Sequence, residues 1–553
     1  MPTYDSFCRS PLVDPAYVAL PDSAIHLEGS LEQLMQTALD HVDLNTLSAL
    51  DAVLATKLGG YVDMPPMPNL SAAADALPEK PREFIDAVRA GLMISAATRT
   101  KNGLLQVLNA MRIFTDTLPG ITEGALLSIG ADTLRAAAEL YRRTGQRFLL
   151  TLMERLRAQL PDVSGMFHSF PFQKAFVPEP ITADTAEETA QFYRRMQMLG
   201  TGAITADALA MTAALALYSG SARDANASKT GVVVLQRYHG MPHGAFAADP
   251  YLAGRDLSRA SDLPAVCAQL EALHDLLAAS GDIAYAERME RITENALSSL
   301  LRVNGVCSAQ AVNRLATDQT CEVARAQPAQ ITALLRALHA VRRSVWMVKS
   351  EAELALLMPY EGCCLARMDG TPVRVCAKRT GVQSLTLTVE TKQPVEFTLL
   401  VHVPGYAMKA SVSINGGKAL NVDCGQLHAV KRMYQTGDTV TLTLQCEPFI
   451  ETGYRGSASV YMGALLMALP LPDSDAAWQY ALDADAPLSL LWAEGQPQVK
   501  VDACFAQGWT ARGGVIPPPP QGIAMADAYE LTLLPYAATL GHIAAFPQAV
   551  RRE

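Results

Sequence analysis

The chain has 553 residues, of which 50% are hydrophobic and 18% are charged, and its formal net charge is −10. This length exceeds what one compact core organises, so we expect two to four domains. The hydrophobic fraction excludes a disordered chain. The acidic balance, without a long basic run, excludes a nucleic-acid footprint.

The opening residues lack a basic segment followed by an apolar core, so we expect no secretory leader and a cytoplasmic location. The most apolar long stretch, Ala203–Tyr218, contains Asp207 and predicts a core helix rather than a membrane span. The ten cysteines include no CxxC spacing, and we expect them to be reduced thiols.

Apolar residues recur three and four positions apart up to about Met347, which predicts helices. The predicted segments are Leu31–Leu58, Pro81–Leu118, Gly130–Gln159, Ala186–Ser219, Leu263–Ala279 and Ile283–Leu300. Gly145, Gly220 and Gly281 close three of them, as helix C-caps often do. Repeated helical hairpins over this length predict an α-solenoid closed into a toroid, with loops and helix N-termini around a central pocket.

After Trp346 the hydrophobic period changes to two, which predicts strands and β-sandwiches. The predicted strands are Gln383–Glu390, Val395–Val403, Lys409–Ile414, Thr439–Gln445, Ser459–Leu469, Tyr529–Leu534 and Gly541–Phe546. The run Pro517–Pro520 predicts an exposed linker or loop.

The stretch 239–297 begins with HGMPHGAFAADPYLAG at 239–254 and ends with GDIAYAERMERITENAL at 281–297. This stretch resembles the core of glycoside hydrolase family 127, the β-L-arabinofuranosidase group. Further segments resemble the family's sandwich motifs in the same order, namely Val403–Ala407, Ile414–Gly416, Gly437–Asp438, Trp478–Leu482 and Leu533–Tyr536.

The resemblance implies an (α/α)6 barrel followed by β-sandwich domains. We predict the barrel, a catalytic-type domain, at residues 1–345. One β-sandwich is expected to combine residues 346–394 with 451–553, and a second, smaller one to cover 395–450.

The resemblance also implies a particular chemistry. The family uses a zinc-bound cysteine thiolate as nucleophile, a Glu acid/base, a Glu-x-Cys pair and a Cys-Cys pair. Zinc keeps the thiol deprotonated and aimed at the anomeric carbon, and a carboxylic acid protonates the leaving oxygen.

These reactive residues are not retained in this sequence. Pro250 stands where the family has its acid/base Glu, Asp262 replaces the Glu of the Glu-x-Cys pair, and Pro264 replaces its Cys. Near the expected Cys-Cys pair only Cys321 occurs, which we interpret as a core thiol, with a lone nucleophile as the alternative. We therefore predict no catalytic residues, no metal-binding residues and no cofactor, although zinc is expected in the family.

Five residues are predicted to line the pocket and contact a sugar: His239, His243, Asp249, Tyr251 and Asp262. The alternative for the two histidines is a loop-stabilising role. The alternative for Asp249 is to cap the segment that begins at Tyr251.

The adjacent pair Cys363–Cys364 is interpreted as two ordinary thiols at a strand end. A relocated zinc site that also uses Glu361 is the alternative.

The leading hypothesis is a degenerate, non-catalytic relative of these hydrolases that binds carbohydrate or serves as structural partner of an active relative. The second is an active glycoside hydrolase on arabinofuranosides or related sugars, remodelled around Asp249, Asp262, His239 and His243. The third is a purely structural subunit. We expect no nucleic-acid or membrane partner, and a homo- or hetero-oligomer fits any of the three hypotheses.

Overall fold

A computed structural model describes residues 9–43, 47–59, 63–315, 323–381, 383–473, 476–493, 495–512, 514–538 and 540–550. Its helices are α1 Gly29–Asp40, α2 Ala49–Leu58, α3 Leu70–Asp75, α4 Pro81–Thr98, α5 Lys101–Thr117, α6 Glu123–Thr144, α7 Phe148–Gln159, α8 Val163–His168, α9 Glu187–Leu199, α10 Gly202–Ser219, α11 Ala222–His239, α12 Leu263–Ser280, α13 Ala284–Ile292, α14 Ser298–Leu300 and α15 Pro328–Val345. A π-helical turn, Thr293–Leu297, joins α13 to α14.

Six helices form a closed inner ring, in which α2, α4, α6, α10, α12 and α15 each pack against the next and α15 returns to α2. The helices α5, α7, α11 and α13 pack outside against the inner helix that precedes each of them. The predicted helical toroid is therefore confirmed. We call the space enclosed by the inner ring the lumen.

The predicted C-caps are confirmed. Gly145, Gly220 and Gly281 end α6, α10 and α12 in the left-handed region, with φ of 69°, 65° and 74°. Most of the long predicted segments are hairpins of two helices. Leu31–Leu58 contains α1 and α2, and Pro81–Leu118 divides at Arg99 (φ 55°), the C-cap of α4.

The chain before α1 closes one end of the ring. Val13 and Tyr17 donate backbone hydrogen bonds to Leu217 and Ala278, near the C-terminal ends of α10 and α12. Asp22 bonds to His339 of α15 at 2.7 Å and pairs with Lys57 at the end of α2. Residues 9–27 therefore form the floor of the lumen, below the C-terminal ends of the inner helices.

The strands in the helical half are β1 Val18–Ala19, β2 Ile25–Leu27, β3 Ala260–Asp262, β4 Leu301–Arg302, β5 Gly305–Cys307, β6 Ala309–Ala311, β7 Asn313–Arg314 and β8 Val323–Ala324. Those that follow are β9 Trp346–Ser350, β10 Glu353–Leu356, β11 Gly362–Met368, β12 Thr371–Gly381, β13 Ser384–Thr391, β14 Val395–Val403, β15 Lys409–Ile414, β16 Leu420–Val422, β17 Gln426–Tyr434, β18 Thr439–Gln445, β19 Phe449–Thr452, β20 Ala458–Met462, β21 Leu465–Pro470, β22 Tyr480–Leu482, β23 Ser489–Ala493, β24 Gln496–Phe505, β25 Ile523–Ala524, β26 Ala528–Pro535, β27 His542–Ile543 and β28 Ala549–Val550.

Two sheets are built mainly from residues 346–445. One has the order β1-β9-β10-β14-β17, and the other has the order β16-β15-β18-β13-β12-β11-β2. Their inner faces share one hydrophobic core with the helical ring. A separate sheet, in the order β19-β20-β21-β26-β24-β22, holds most of residues 449–535 around a second core.

This strand pairing differs from the predicted division of the sandwiches. Strand β14, expected in a separate domain from 395 to 450, hydrogen-bonds to β10 in parallel and to β17 in antiparallel register. Residues 346–391 therefore pair with 395–445 and not with 451–553. Alternating hydrophobicity locates strands along the chain, but it carries no information about their partners.

Candidate functional site

The segment between α11 and α12 lies at the N-terminal ends of two inner helices. Its backbone is tied to α10, because Gly202 N donates to Pro250 O at 2.9 Å and Leu252 N donates to Gly200 O at 2.9 Å. Gly202 permits this approach, since a Cβ there would lie 2.3 Å from the Cβ of Ala248. We call residues 240–262 the mouth loop, because it borders the end of the lumen opposite the floor.

The two predicted histidines are enclosed in this loop. His239 accepts a hydrogen bond from Gly254 N at 2.9 Å and donates to Phe172 O at 2.6 Å. His243 accepts from Ala245 N at 3.3 Å and lies 3.2 Å from the Ser261 hydroxyl. Both side chains are buried, and burial lowers the pKa of each to about 4.

These contacts hold the mouth loop in shape. His239 bridges the backbone of Phe172 and Gly254, and His243 links Ala245 N to the Ser261 hydroxyl. This is the loop-stabilising role that the sequence analysis gave as the alternative. A direct contact of either histidine with sugar remains a prediction.

Asp249 and Tyr251 are the accessible predicted residues at the tip of the loop. Asp249 receives two hydrogen bonds from the Arg259 guanidinium, at 2.5 and 2.8 Å. Tyr251 packs edge-on against Phe176 with ring centroids 5.7 Å apart. The bidentate pair holds the Asp249 carboxylate in one orientation, while its remaining lone pairs are free to accept sugar hydroxyls.

Asp262 occupies the N-cap of α12. Its Oδ1 accepts from Ala265 N at 3.0 Å, and its own N–H is bonded to Ala248 O at 2.8 Å. Burial, with a smaller contribution from the charge of Asp249, raises the pKa of Asp262 to about 7. A carboxyl of this kind is part protonated near neutrality and is able to give or take a proton.

The positions that would carry the thiolate and the acid/base hold prolines at the surface of the mouth. Pro250 and Pro264 are both exposed. Cys267, one turn into α12, is buried, and burial raises the pKa of its thiol well above the usual value, which disfavours a thiolate. Cys321 lies outside the described residues.

The adjacent cysteines Cys363 and Cys364 of the first sandwich differ in their chemical state, because one is in a disulfide and the other is a free thiol. Cys363 forms a disulfide with Cys376, its direct neighbour across β11 and β12, so the interpretation of Cys363 as an ordinary thiol is wrong. The disulfide also removes Cys363 from the alternative zinc site, which would need it as a thiolate ligand. Cys364 points the other way in the pleat and is buried in the core, where burial raises its pKa.

Zinc does not fit the residues described at the mouth. Across the described ranges of the chain, no group of three or more His, Cys, Asp or Glu side chains is placed to hold a metal ion. We therefore derive no chemistry through a metal, and zinc content is left to experiment.

The lumen wall carries a buried ion network that the sequence analysis did not identify. Asp132 of α6 forms ion pairs with four arginines from three inner helices: Arg82 at 2.6 Å, Arg89 at 3.0 Å, Arg135 at 2.6 Å and Arg336 at 3.0 Å. Burial opposes the charge of Asp132, but the four guanidiniums hold its pKa well below the usual range.

Two further carboxylates complete the network. Glu271 of α12 receives Arg336 at 2.9 Å, and Asp275 receives Arg135 at 2.5 Å. One pattern in the sequence could have indicated this network. Opposite charges lie three or four residues apart on one helix, as in Arg82 with Asp86 and Asp132 with Arg135.

Asp207 faces the same lumen from α10. Burial, with a contribution from the charge of Asp132, raises its pKa to about 7. Within the described part of the chain, Asp207 accepts no hydrogen bond and joins no ion pair. The side chain is half-buried, so the lumen leaves space beside it.

A separate surface cavity of about 640 Å³ lies between α7, α8 and α9. Its walls are mixed, with Met166, Met196 and Leu199 beside polar residues, and the ion pair of Glu123 with Arg195 also lines it. It contains none of the predicted site residues.

Comparisons with known proteins agree with this architecture. Residues 376–446 match the family model described as beta-L-arabinofuranosidase, GH127 middle domain. A solved structure described as a glycoside hydrolase aligns with a TM-score of 0.71 at 14% identity, covering 97% of this chain and 98% of that chain. No curated protein matches the sequence.

Two further solved structures carry family names. A GH127 β-L-arabinofuranosidase from Geobacillus stearothermophilus T6 aligns with a TM-score of 0.62 at 15% identity, covering 94% of each chain. A GH127 β-arabinofuranosidase aligns with a TM-score of 0.56 at 13% identity, covering 97% of this chain and 99% of that chain.

The chain thus has the fold of glycoside hydrolases built on a helical ring followed by sheets. More specifically, residues 376–446 match the GH127 middle-domain model, and the chain shares its fold with solved GH127 structures. The predicted family resemblance and fold class are confirmed.

Proposed function

We propose that this chain is a divergent relative of the GH127 β-L-arabinofuranosidases that binds carbohydrate without hydrolysing it, alone or as partner of an active relative. The observation that carries the proposal is the pair of exposed prolines, Pro250 and Pro264, where the family resemblance requires a carboxylic acid and a thiol. Proline has no proton to donate and no ligand atom for a metal.

The mouth retains groups suited to a sugar. The Asp249 carboxylate is oriented by Arg259, Tyr251 offers a ring face and a hydroxyl, and Asp262 adds a second carboxyl. Carboxylates accept hydroxyl hydrogens and aromatic rings pack on the apolar faces of sugars, so these groups support binding without a reaction.

The first prediction concerns activity and binding together. With an aryl β-L-arabinofuranoside, the protein is expected to release no detectable phenol, while the Geobacillus enzyme serves as positive control. Methyl β-L-arabinofuranoside is expected to raise its melting temperature, since a ligand that binds only the folded state stabilises it. Elemental analysis is expected to find no stoichiometric zinc.

Paired variants locate the binding. Tyr251→Ala is expected to abolish the thermal shift, whereas Tyr529→Ala, which removes an exposed tyrosine of the distant sheet, leaves it unchanged. Zinc-dependent turnover that disappears in Cys321→Ala would refute the proposal.

A remodelled hydrolase is the second candidate, and Asp262 favours it. A carboxyl with a pKa of about 7 beside the carboxylate of Asp249 resembles the pairing of acid and base in glycosidases. If this candidate holds, turnover falls at least a hundredfold in Asp262→Asn and the wild-type rate declines above pH 7. If turnover is unchanged in Asp262→Asn, Asp262 does not act as the catalytic carboxyl.

A further inference from the structure

The lumen of the helical ring is a polar cup. Its wall consists of the six inner helices, its floor is the segment 9–27, and the mouth loop borders its open end. Several wall side chains remain partly accessible, with exposed fractions of 14% for Arg89, 20% for Asp86 and 23% for Arg135. Solvent-sized space therefore reaches into the ring.

Most of the polar atoms on this wall neutralise one another. Asp132 and Glu271 are covered by guanidiniums at 2.6–3.1 Å. Asp86 is less well satisfied, because Arg82 lies 3.6 Å from its Oδ1 and that atom has no hydrogen-bond partner among the described residues. Asp207 likewise has no direct partner there, although Arg336 and Arg82 lie close enough to act on its charge.

The depth of Asp207 follows from helix geometry. Gly202, the first residue of α10, packs beside Ala265 of α12, and both helices run away from the mouth. Asp207 is therefore level with about residue 270 of α12, which is about 12 Å deeper than Asp262 at a rise of 1.5 Å per residue. The thiol of Cys267, which is influenced by both Asp262 and Glu271, lies between these levels.

We propose that the lumen is a second binding site, deeper than the mouth, for a hydroxyl-rich ligand of the sugar class, and that Asp207 and Asp86 accept its hydroxyl hydrogens. A mixed wall of carboxylates and guanidiniums suits sugar hydroxyls, because each hydroxyl both donates and accepts. A fully apolar ligand would leave these buried polar groups unsatisfied. The inference rests on the proposed function, since it requires that the protein bind carbohydrate.

The test uses the full chain and isothermal titration with methyl β-L-arabinofuranoside and an L-arabinofuranosyl disaccharide at pH 6. Asp207→Asn preserves the shape of the side chain and breaks no ion pair in the described structure, so it is expected to fold. Affinity is expected to fall about tenfold, as for loss of one hydrogen bond to a charged group. Asp502→Asn, an exposed carboxyl on β24, is the matched control and is expected to bind like wild type.

The outcomes separate the two proposals. Wild-type binding that is unaffected in Asp207→Asn but lost in Tyr251→Ala overturns the lumen site and leaves the proposed function intact. Failure of the wild type to bind either sugar overturns the proposed function, and the lumen site with it. Loss of affinity in Asp207→Asn, with a melting temperature at pH 6 no lower than that of wild type and a normal Asp502→Asn control, supports both proposals.

Discussion

Within the described residues, Asp207 differs from the other lumen carboxyls in having no arginine bonded to it. Asp86, Asp132, Glu271 and Asp275 each pair with at least one guanidinium. Burial of an unpaired carboxylate is costly, so the folded state prefers Asp207 protonated and its pKa rises to about 7.

The pH dependence of stability follows from this shift. The pKa of Asp207 in the folded state lies above its ordinary value of 3.8, so the folded state binds the proton more tightly than the unfolded state. Its contribution to stability is complete below about pH 4 and is lost as the pH rises to about 7. Above about pH 7, the free energy of unfolding of wild type is a few kcal/mol lower than that of a chain without this carboxyl.

Asp207→Asn is therefore predicted to leave stability near pH 4 almost unchanged and to raise the free energy of unfolding at pH 8. Urea denaturation at the two pH values measures both quantities. Equal stabilities of the variant and wild type at pH 8 would show that Asp207 finds a cationic partner in solution.

Helix α6 supplies the centre of the ion network through one side chain. Asp132 joins α4, α6 and α15 through ion pairs with Arg82, Arg89, Arg135 and Arg336. Removal of its charge leaves the four guanidiniums with only Asp86, Glu271 and Asp275 to balance them. Loss of one partner from a buried network costs about 3–5 kcal/mol.

Asp132→Asn is therefore predicted to destabilise the ring at pH 7 by about 3–5 kcal/mol, opposite in sign to Asp207→Asn on the neighbouring helix. Chemical denaturation of both variants under the same conditions tests the contrast. A loss below about 1 kcal/mol would mean that the guanidiniums are held by other groups, because only surface ion pairs are worth so little.

Sequence periodicity predicted the bounds of helices and strands better than it predicted which strands pair with one another. Three strands, Val395–Val403, Lys409–Ile414 and Thr439–Gln445, have the predicted bounds, because alternation is a local property of a half-buried strand. Helix α11 was missed, since its apolar residues are interrupted by polar ones such as Asp224 and Lys229. The grouping of sheets depends on contacts between distant segments, which local patterns do not encode.

The same limit applies to the candidate site. The mouth loop was located because Asp249, Tyr251 and Asp262 lie within 14 consecutive residues of the stretch that resembles the family. The lumen network was missed because Asp132, Asp207, Glu271 and Arg336 come from four helices that only the closed ring brings together. Asp207 did stand out as the one charge in an apolar run, but no local pattern indicated the arginines that act on its charge.

The helical and sheet halves of the molecule meet along α13 and the π-helical turn. Asn295 donates to Ala464 O at 2.9 Å and accepts from Leu466 N at 2.8 Å, and Arg291 pairs with Glu451 at 2.7 Å. These contacts attach the outer surface of the ring to the strands β19 to β21.

Two glutamates four residues apart are buried at this junction. Glu290 accepts from the Tyr406 hydroxyl at 3.2 Å, and Glu294 accepts from the Tyr360 hydroxyl at 2.7 Å. Burial, then the charge of Glu294, raises the pKa of Glu290 to about 8, and its Oε2 finds no partner among the described residues. Arg379 is the nearby cation that acts on both carboxyls.

The pKa of Glu287, one turn earlier, is shifted in the opposite direction. It accepts from Gly405 N at 2.5 Å and contacts His402 at 3.1 Å. Burial opposes its charge, but these hydrogen bonds lower its pKa below the usual value. Its ionised form therefore stabilises the folded state at neutral and alkaline pH, and that contribution is lost as the pH falls through its pKa in the folded state.

Glu290 and Glu287 together give a matched test of how the helical and sheet halves are held together. The contribution of Glu290 is complete below its unfolded pKa of about 4.5 and is lost as the pH rises to about 8, so Glu290→Gln is predicted to stabilise the protein at pH 9. Glu287→Gln is predicted to destabilise it at the same pH, because a neutral amide is a weaker acceptor than a carboxylate for Gly405 N and His402. Thermal unfolding of wild type and both variants at pH 5 and pH 9 measures the contrast. If both substitutions shift the melting temperature in the same direction at pH 9, the junction does not respond to these charges as the geometry requires.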